Sequence, residues 1–337
     1  MKNLLKLAST LIFKNRPLYV HYGLTHRCNL QCRMCNVYRD ASEDEELSIE
    51  QIEKVFDILR SLGIVYVSIG GGEPFLRQDL PAIISLLIKK GFMVRLLTNG
   101  TLVDEGLIKD IVSSGLKEIS VSLDTLDHQK QAYICNRSDT GEKIIRSIDI
   151  FSRALSKNRR FLLINTVVSR LNIDELPQLS QFAKSKGYYI SFVPVETHGY
   201  SEFAFTQDEH QSIDENYDYL MQKKKEGRSS IFNSSIFLEK SRQYLKFGNS
   251  HWSCDAGRLY FSLSPKGELS ICHKFNQGVS LLKAGTEGIL ASKEFEHRRQ
   301  SLIKGCSGCM RPCWAEISLL FRNKASLFEM SKVRFFS

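Results

Sequence analysis

Three cysteines fall within eight residues of the segment HRCNLQCRMC, at the spacing Cys28-x3-Cys32-x2-Cys35. Thiolates this close on one loop point to metal binding where disulfides rarely persist. A tetrahedral zinc site wants four ligands, and apart from Cys135 no further cysteine follows for about two hundred residues, so zinc would need His21 or His26 as well. A cubane iron-sulfur cluster tolerates three protein ligands and then keeps one iron open to a substrate or cofactor. Zinc, a cubane and unrelated buried thiols all remain open on this spacing alone.

A second group comprises Cys254, Cys272 and the run Cys306-x2-Cys309-x3-Cys313. Five cysteines in sixty residues are poorly explained as free thiols. A structural zinc site of four thiolates is one reading, with His251 and His273 nearby. Cys135 belongs to neither group and reads as a buried structural thiol.

Between the groups lie further residues that could touch a ligand. Gly70-Gly71-Gly72-Glu73-Pro74 lets the backbone approach a bound molecule closely, and Glu73 could accept from an ammonium group, although a tight turn before a helix would read the same way. Thr98-Asn99-Gly100 ends another apolar run. In Ser120-Val121-Ser122-Leu123-Asp124, alternation puts Ser120, Ser122 and Asp124 on one face, suited to sugar hydroxyls.

The elements that must position these residues alternate in type from 18 to 195. Short β-branched or aromatic runs predict strands near 18–24, 64–69, 93–98, 118–123, 161–168 and 189–195, separated by helices near 48–62, 79–90, 103–114, 141–157 and 174–186. Strand-helix alternation implies a parallel sheet with right-handed crossovers, either an open doubly wound sheet or a partial barrel. Each chemical motif sits where such sheets carry ligands, at the C-terminal end of a predicted strand.

The flanks differ. Residues 1–16 predict an amphipathic helix, which packs on its own domain or touches a membrane surface through residues 1–15. Residues 199–250 are polar and helical, a linker or cap. A cysteine-containing unit over 251–320 opens with a hairpin whose turn is SPKGE (264–268), and a tail over 321–337 ends the chain. The net charge of +9 is spread along all 337 residues, so it reads as a solvated surface, and no nucleic acid partner is expected. With no secretory signal and no apolar run of membrane-spanning length, the cytoplasm is the expected compartment.

Taken together and in this order, the motifs over about 18–195 resemble the radical S-adenosylmethionine (SAM) superfamily, whose signature is the Cys-x3-Cys-x2-Cys spacing. The resemblance implies a partial (β/α)6 TIM-like barrel over 17–198. It further implies that Cys28, Cys32 and Cys35 ligate a [4Fe-4S] cluster whose fourth iron is chelated by SAM. Gly71, Gly72, Glu73 and Pro74 match the segment that holds the methionyl amine, and Ser122 and Asp124 the ribose contacts. Arg137 looks like the arginine near the SAM carboxylate, with a surface salt bridge as its other reading. Met34 departs from the family, which usually has an aromatic residue against the adenine; a flexible thioether can fill that place.

The implied chemistry is reductive cleavage of SAM by an electron from a low-potential donor of flavodoxin or ferredoxin type, at roughly −0.4 V or below, giving a 5′-deoxyadenosyl radical that abstracts hydrogen from substrate. With such chemistry Cys135 has a second reading, as a hydrogen-atom donor that quenches a substrate radical from the opposite face, as an epimerase needs. Within such a family, Cys-x12-Gly-x4-Cys (Cys254, Gly267, Cys272) followed by Cys-x2-Cys resembles the SPASM/twitch extension. One auxiliary [4Fe-4S] cluster is then implied, on Cys254, Cys272, Cys306 and Cys309 with Cys313 as a spare or substitute. Many SPASM/twitch enzymes oxidise ribosomally made peptides, which makes a peptide the leading substrate expectation. Only about 17 residues precede the barrel, so recognition would need a separate protein or direct docking. The alternatives are radical oxidation or carbon-carbon chemistry on a small molecule such as a sugar, lipid precursor or tetrapyrrole, and a non-enzymatic zinc-binding interaction protein.

Overall fold

The structure, a computed structural model, describes residues 17–40, 46–155, 161–196, 201–227, 229–275, 278–283, 288, 290, 292–306 and 308–323. The expected N-terminal helix and almost all of the C-terminal tail lie outside the described residues.

Six parallel strands carry the alternating half of the chain: β1 (Tyr19–Thr25), β2 (Tyr66–Gly71), β3 (Met93–Thr98), β4 (Glu118–Ser122), β5 (Phe161–Val168) and β6 (Tyr189–Pro194). Each begins and ends within two residues of the span its β-branched run predicts. The crossover helices are α1 (Ile49–Ser61), α2 (Leu80–Lys89), α3 (Glu105–Ser113), α5 (Thr140–Leu155) and α6 (Leu176–Ser185), and a short α4 (His128–Cys135) precedes α5. Local chemistry starts them. Ser48 and Gln51 form a reciprocal cap on α1, and Asp104 and Asp127 accept from the first-turn amides of α3 and α4. Their apolar faces, among them Phe56, Ile83, Ile111, Ile148 and Leu179, are buried with alternate residues of the strands in one core.

The sequence pattern misses α4, since HQKQAYIC has almost no apolar stripe to mark a helix. It ends at Asn136, whose left-handed conformation (φ 53°) stops the helix beside the cysteine loop.

The expected hairpin is present as β7 (Tyr260–Leu263) and β8 (Glu268–Ser270), continued by β9 (Val279–Ser280). Instead of opening a separate sheet, β7 pairs in parallel with β1, so all nine strands form one sheet in the order β6-β5-β4-β3-β2-β1-β7-β8-β9. The polar segment before it holds α7 (His210–Lys225) and α8 (Ser235–Phe247). Phe232 donates its amide to the Ile190 carbonyl and Asn233 accepts from Phe192, so this segment closes the edge that β6 would otherwise expose. Two last helices are α9 (Lys293–Lys304) and α10 (Pro312–Arg322); Trp314 of α10 is buried with Tyr19, Tyr260 and Cys272 in a second core. The sheet thus curves as a partial barrel, with α1–α6 on one face and a cavity on the other. Among the described residues no helix is long and apolar enough to cross a membrane.

Candidate active site

The concave face of the sheet encloses a cavity of about 2270 Å³. Strand register stacks its lining in layers. Deepest are Tyr19, Tyr66 and Met93; above them are Ser262, His21, Ser68, Arg95 and Glu118, then Gly23, Gly70, Leu97, Ser120 and Leu163, and at the strand ends Ser122, Asn165 and Ser191. Cys28, Cys32, Met34 and Cys35 line the same space from the loop after β1.

Backbone packing fixes that loop. Gly72 donates to the Thr25 carbonyl at 2.7 Å and Glu73 donates its amide to the Arg27 carbonyl at 2.9 Å. A methyl group on Gly72 would sit 2.0 Å from the Arg27 oxygen, and one on Gly71, whose φ is +110°, 2.3 Å from the Thr25 oxygen. Both glycines are therefore required by the approach of two backbones. A register shift between Gly23 and Thr25 turns the chain into the loop, as bulges beside functional sites do. Within the loop Cys35 donates its amide to the Cys32 carbonyl, and the Cys28 sulfur accepts from the Leu30 amide. From β3, Asn99 donates to Asn29 at 2.9 Å and approaches the Cys28 sulfur at 3.9 Å.

Glu73 does not face the cavity. It is fully buried, and its carboxylate accepts from the Phe75 amide (3.1 Å), the Thr98 hydroxyl (2.9 Å) and the Asn99 amide (2.7 Å), so it joins the ends of β2 and β3. Burial raises it to about 7. Pro74, buried in the following turn, is also outside the lining, which leaves Gly70, Gly71 and Gly72 as the part of the motif that meets the cavity.

Ser120, Ser122 and Asp124 do share the cavity face. Ser120 is buried and its hydroxyl has no partner. Asp124, raised to about 6 by burial, accepts from the Val167 amide with one oxygen. Gln131 of α4, a residue the sequence reading overlooks, receives the amides of Asp124 and Thr125 and donates to the Cys135 sulfur at 3.1 Å. Cys135 is buried, lines the cavity and is in hydrogen-bonding contact with Cys32, so it stands beside the cysteine loop. Arg137 is half-exposed, pairs with Asp139 at 2.9 Å, donates to the Asn29 carbonyl at 3.3 Å and is not among the lining residues.

The second cysteine group gathers near the start of α10, where Cys254, Cys272 and Cys313 belong to the same packed cluster as Trp314. Cys272 lies close enough to Cys254, Cys309 and Cys313 to feel their charge, and Cys254 is a neighbour of Cys306. Only Cys313 lines the cavity. Cys254 meets the Tyr260 hydroxyl at 3.2 Å and Cys272 meets His273 at 3.4 Å. Trp314 links this region to the barrel, its ring 4.7 Å from that of His273 and 6.0 Å from that of His21 on β1. Among the described residues no three His, Cys, Asp or Glu side chains converge as they would around a single ion.

The family model described as the radical SAM superfamily matches residues 22–183. A GTP 3′,8-cyclase from Campylobacter jejuni is 31% identical over 289 residues, covering 82% of this chain and 86% of the relative. The chain belongs to the radical SAM superfamily. A PqqA peptide cyclase from Granulibacter bethesdensis is 27% identical over 172 residues, 51% of this chain and 45% of that one. In fold, this radical SAM protein is similar to Streptococcus suis SuiB bound to S-adenosylmethionine, with a TM-score of 0.67 at 16% identity over 95% of this chain and 78% of that one. Membership implies a [4Fe-4S] cluster, SAM, a substrate and a reductant.

Proposed function

We propose that this radical SAM enzyme acts on a polar small molecule, with Cys28, Cys32 and Cys35 as ligands of the SAM-binding cluster. The residues fit the group. Three thiolates on one loop border the cavity, and an unpartnered buried hydroxyl faces the same space. When bound, cluster and SAM supply reductive cleavage and hydrogen abstraction. The protein's part is to bind and orient. Gly71 and Gly72 offer backbone to the methionyl end, Ser122 and Asp124 lie where ribose hydroxyls would need partners, and Met34 offers a polarizable face to a base. Arg137, tied to the backbone of the cysteine loop, supports that loop.

The observation that carries the substrate reading is the relationship to a GTP 3′,8-cyclase along most of both chains, where the peptide cyclase matches only about half of this one. A small molecule therefore replaces the peptide that the cysteine pattern favours by itself. For the second group we propose an auxiliary [4Fe-4S] cluster on Cys254, Cys272, Cys306 and Cys309, in a twitch-type unit spanning about 251–320. The donor set fits such a cluster, since Cys272 lies near enough to Cys254 and Cys309 to feel their charge and Cys254 neighbours Cys306. A flavodoxin- or ferredoxin-type protein would supply the electron.

The test is anaerobic reconstitution followed by incubation with SAM, dithionite and either GTP, pooled polar metabolites or pooled peptides. Formation of 5′-deoxyadenosine should rise with a small molecule. Stimulation by peptides alone would sink the reading.

A further inference from the structure

The chain carries a net charge of +9, yet its cavity does not. Five Lys and Arg side chains line it against six Asp and Glu. The cations are also committed. Arg27 pairs with Glu46 at 2.9 Å, and Arg95 donates to Glu118 at 2.9 and 3.1 Å while lying over the rings of Tyr66, Phe161 and Phe232. Arg311 grips both oxygens of Glu196 at 3.1 and 3.2 Å, and Lys274 stands 4.0 Å from the same carboxylate while donating to the Gly308 carbonyl at 2.8 Å. Lys266 is engaged as well.

Glu196 is the residue that decides the character of the outer wall. It follows β6 directly, its side chain is only 10% exposed, and it is shared by two cations from the second cysteine segment. Arg311 spends its Nε and one terminal nitrogen on this nearly buried carboxylate, although its own side chain stays 40% exposed, so fewer of its donors are left for an incoming anion. The buried Ser120 hydroxyl and the Trp314 indole N–H, which face the cavity without hydrogen-bond partners, are neutral donors. With six carboxylates set against five engaged cations, such a wall suits hydroxyl, carbonyl and amide groups better than several negative charges.

We infer that Glu196 is a specificity-determining residue that withholds Arg311 and Lys274 from phosphate groups, so that the cavity takes an uncharged polar substrate and rejects polyphosphates. This rests on the small-molecule reading and narrows it. The relative named for a nucleoside triphosphate would then share this chain's fold and radical chemistry but not its outer wall.

The probe is inorganic tripolyphosphate, titrated into the reconstituted full-length protein by calorimetry at physiological salt. Wild type should show no binding that depends on Arg311. Glu196→Gln, which frees both cations, should gain on the order of ten- to hundredfold in affinity, and the double variant Glu196→Gln with Arg311→Met should lose that gain. Wild-type binding that Arg311→Met abolishes overturns the inference, and so does an absence of gain in Glu196→Gln that keeps the wild-type iron content. Should Glu196→Gln fail to hold its iron, Glu196→Ser is read in the same way and the wild-type titration still decides the first half. A peptide-only enzyme would reveal itself separately, through 5′-deoxyadenosine formation, so the two failures do not look alike.

Discussion

The two cysteine groups are built by opposite means. Cys28, Cys32 and Cys35 lie on one loop whose path is set by backbone against backbone, with Gly71 and Gly72 pressed on Thr25 and Arg27 and a buried carboxylate behind them. Cys254, Cys272, Cys306, Cys309 and Cys313 come from three stretches of chain brought together by Trp314, Tyr260 and the ion pairs of Glu196. Local geometry holds the first set, and tertiary packing holds the second. The first should therefore fail by small steric insults at one place, the second by loss of packing or charge at distant ones.

The sharpest break is chemical. Alanine at Cys28, Cys32 or Cys35 should reduce 5′-deoxyadenosine formation with SAM and dithionite to background. Cys309→Ala should keep that cleavage while iron falls from about eight to about four per chain, four being the content of one cubane, and substrate turnover stops. If Cys309→Ala also abolished SAM cleavage, the two groups would not be separable parts.

This contrast also explains what could be read from the sequence. Ligands gathered within eight residues announce themselves, and so do parallel strands whose β-branched runs are continuous. Glycine spacing marked the cradle. The pattern could not reveal that Glu73 turns away from the cavity, because its three partners come partly from another strand. Nor could it show β7 beside β1, a pairing of segments more than two hundred residues apart. Gln131 sits on a helix without an apolar stripe, and Glu196 meets Arg311 across 115 residues of chain. Such contacts leave no periodicity behind; only their residue types are visible.

A second test sets one glycine of each region against the other. Gly72→Ala places a methyl group 2.0 Å from the Arg27 carbonyl, and neither backbone can retreat without moving the cysteine loop. We expect a loss of about 3 kcal/mol or more, read by denaturant unfolding, together with loss of the first cluster's iron. Gly308→Ala meets nothing within 4 Å and carries only the strain of its φ of +86°. Its cost should be about 1 kcal/mol. Equal costs at the two sites would remove the distinction between steric and tertiary control.

The smallest effect separates the regions by pH. Glu73 is held at about 7 by burial, well above the 4.5 of an exposed glutamate. Between these values the folded chain keeps a proton that the unfolded chain gives up. Its stabilising contribution is therefore full below about pH 4.5 and is lost as the pH rises through 7, by at most about 3 kcal/mol. The second region lacks this sensitivity on its basic side. Burial opposes the charge of Arg311, but Glu196 beside it outweighs burial and raises its pKa, so the guanidinium stays charged over the whole range. Asp124, at about 6, shifts the wild-type curve in the same direction, and comparison with Glu73→Gln, which retains Asp124, isolates the Glu73 share. The stability of wild type relative to Glu73→Gln should thus fall between pH 5 and pH 8, measured by urea denaturation. Parallel pH curves for the two proteins would show that the carboxylate is already ionised in its buried nest, with the three donated hydrogen bonds fully offsetting its desolvation.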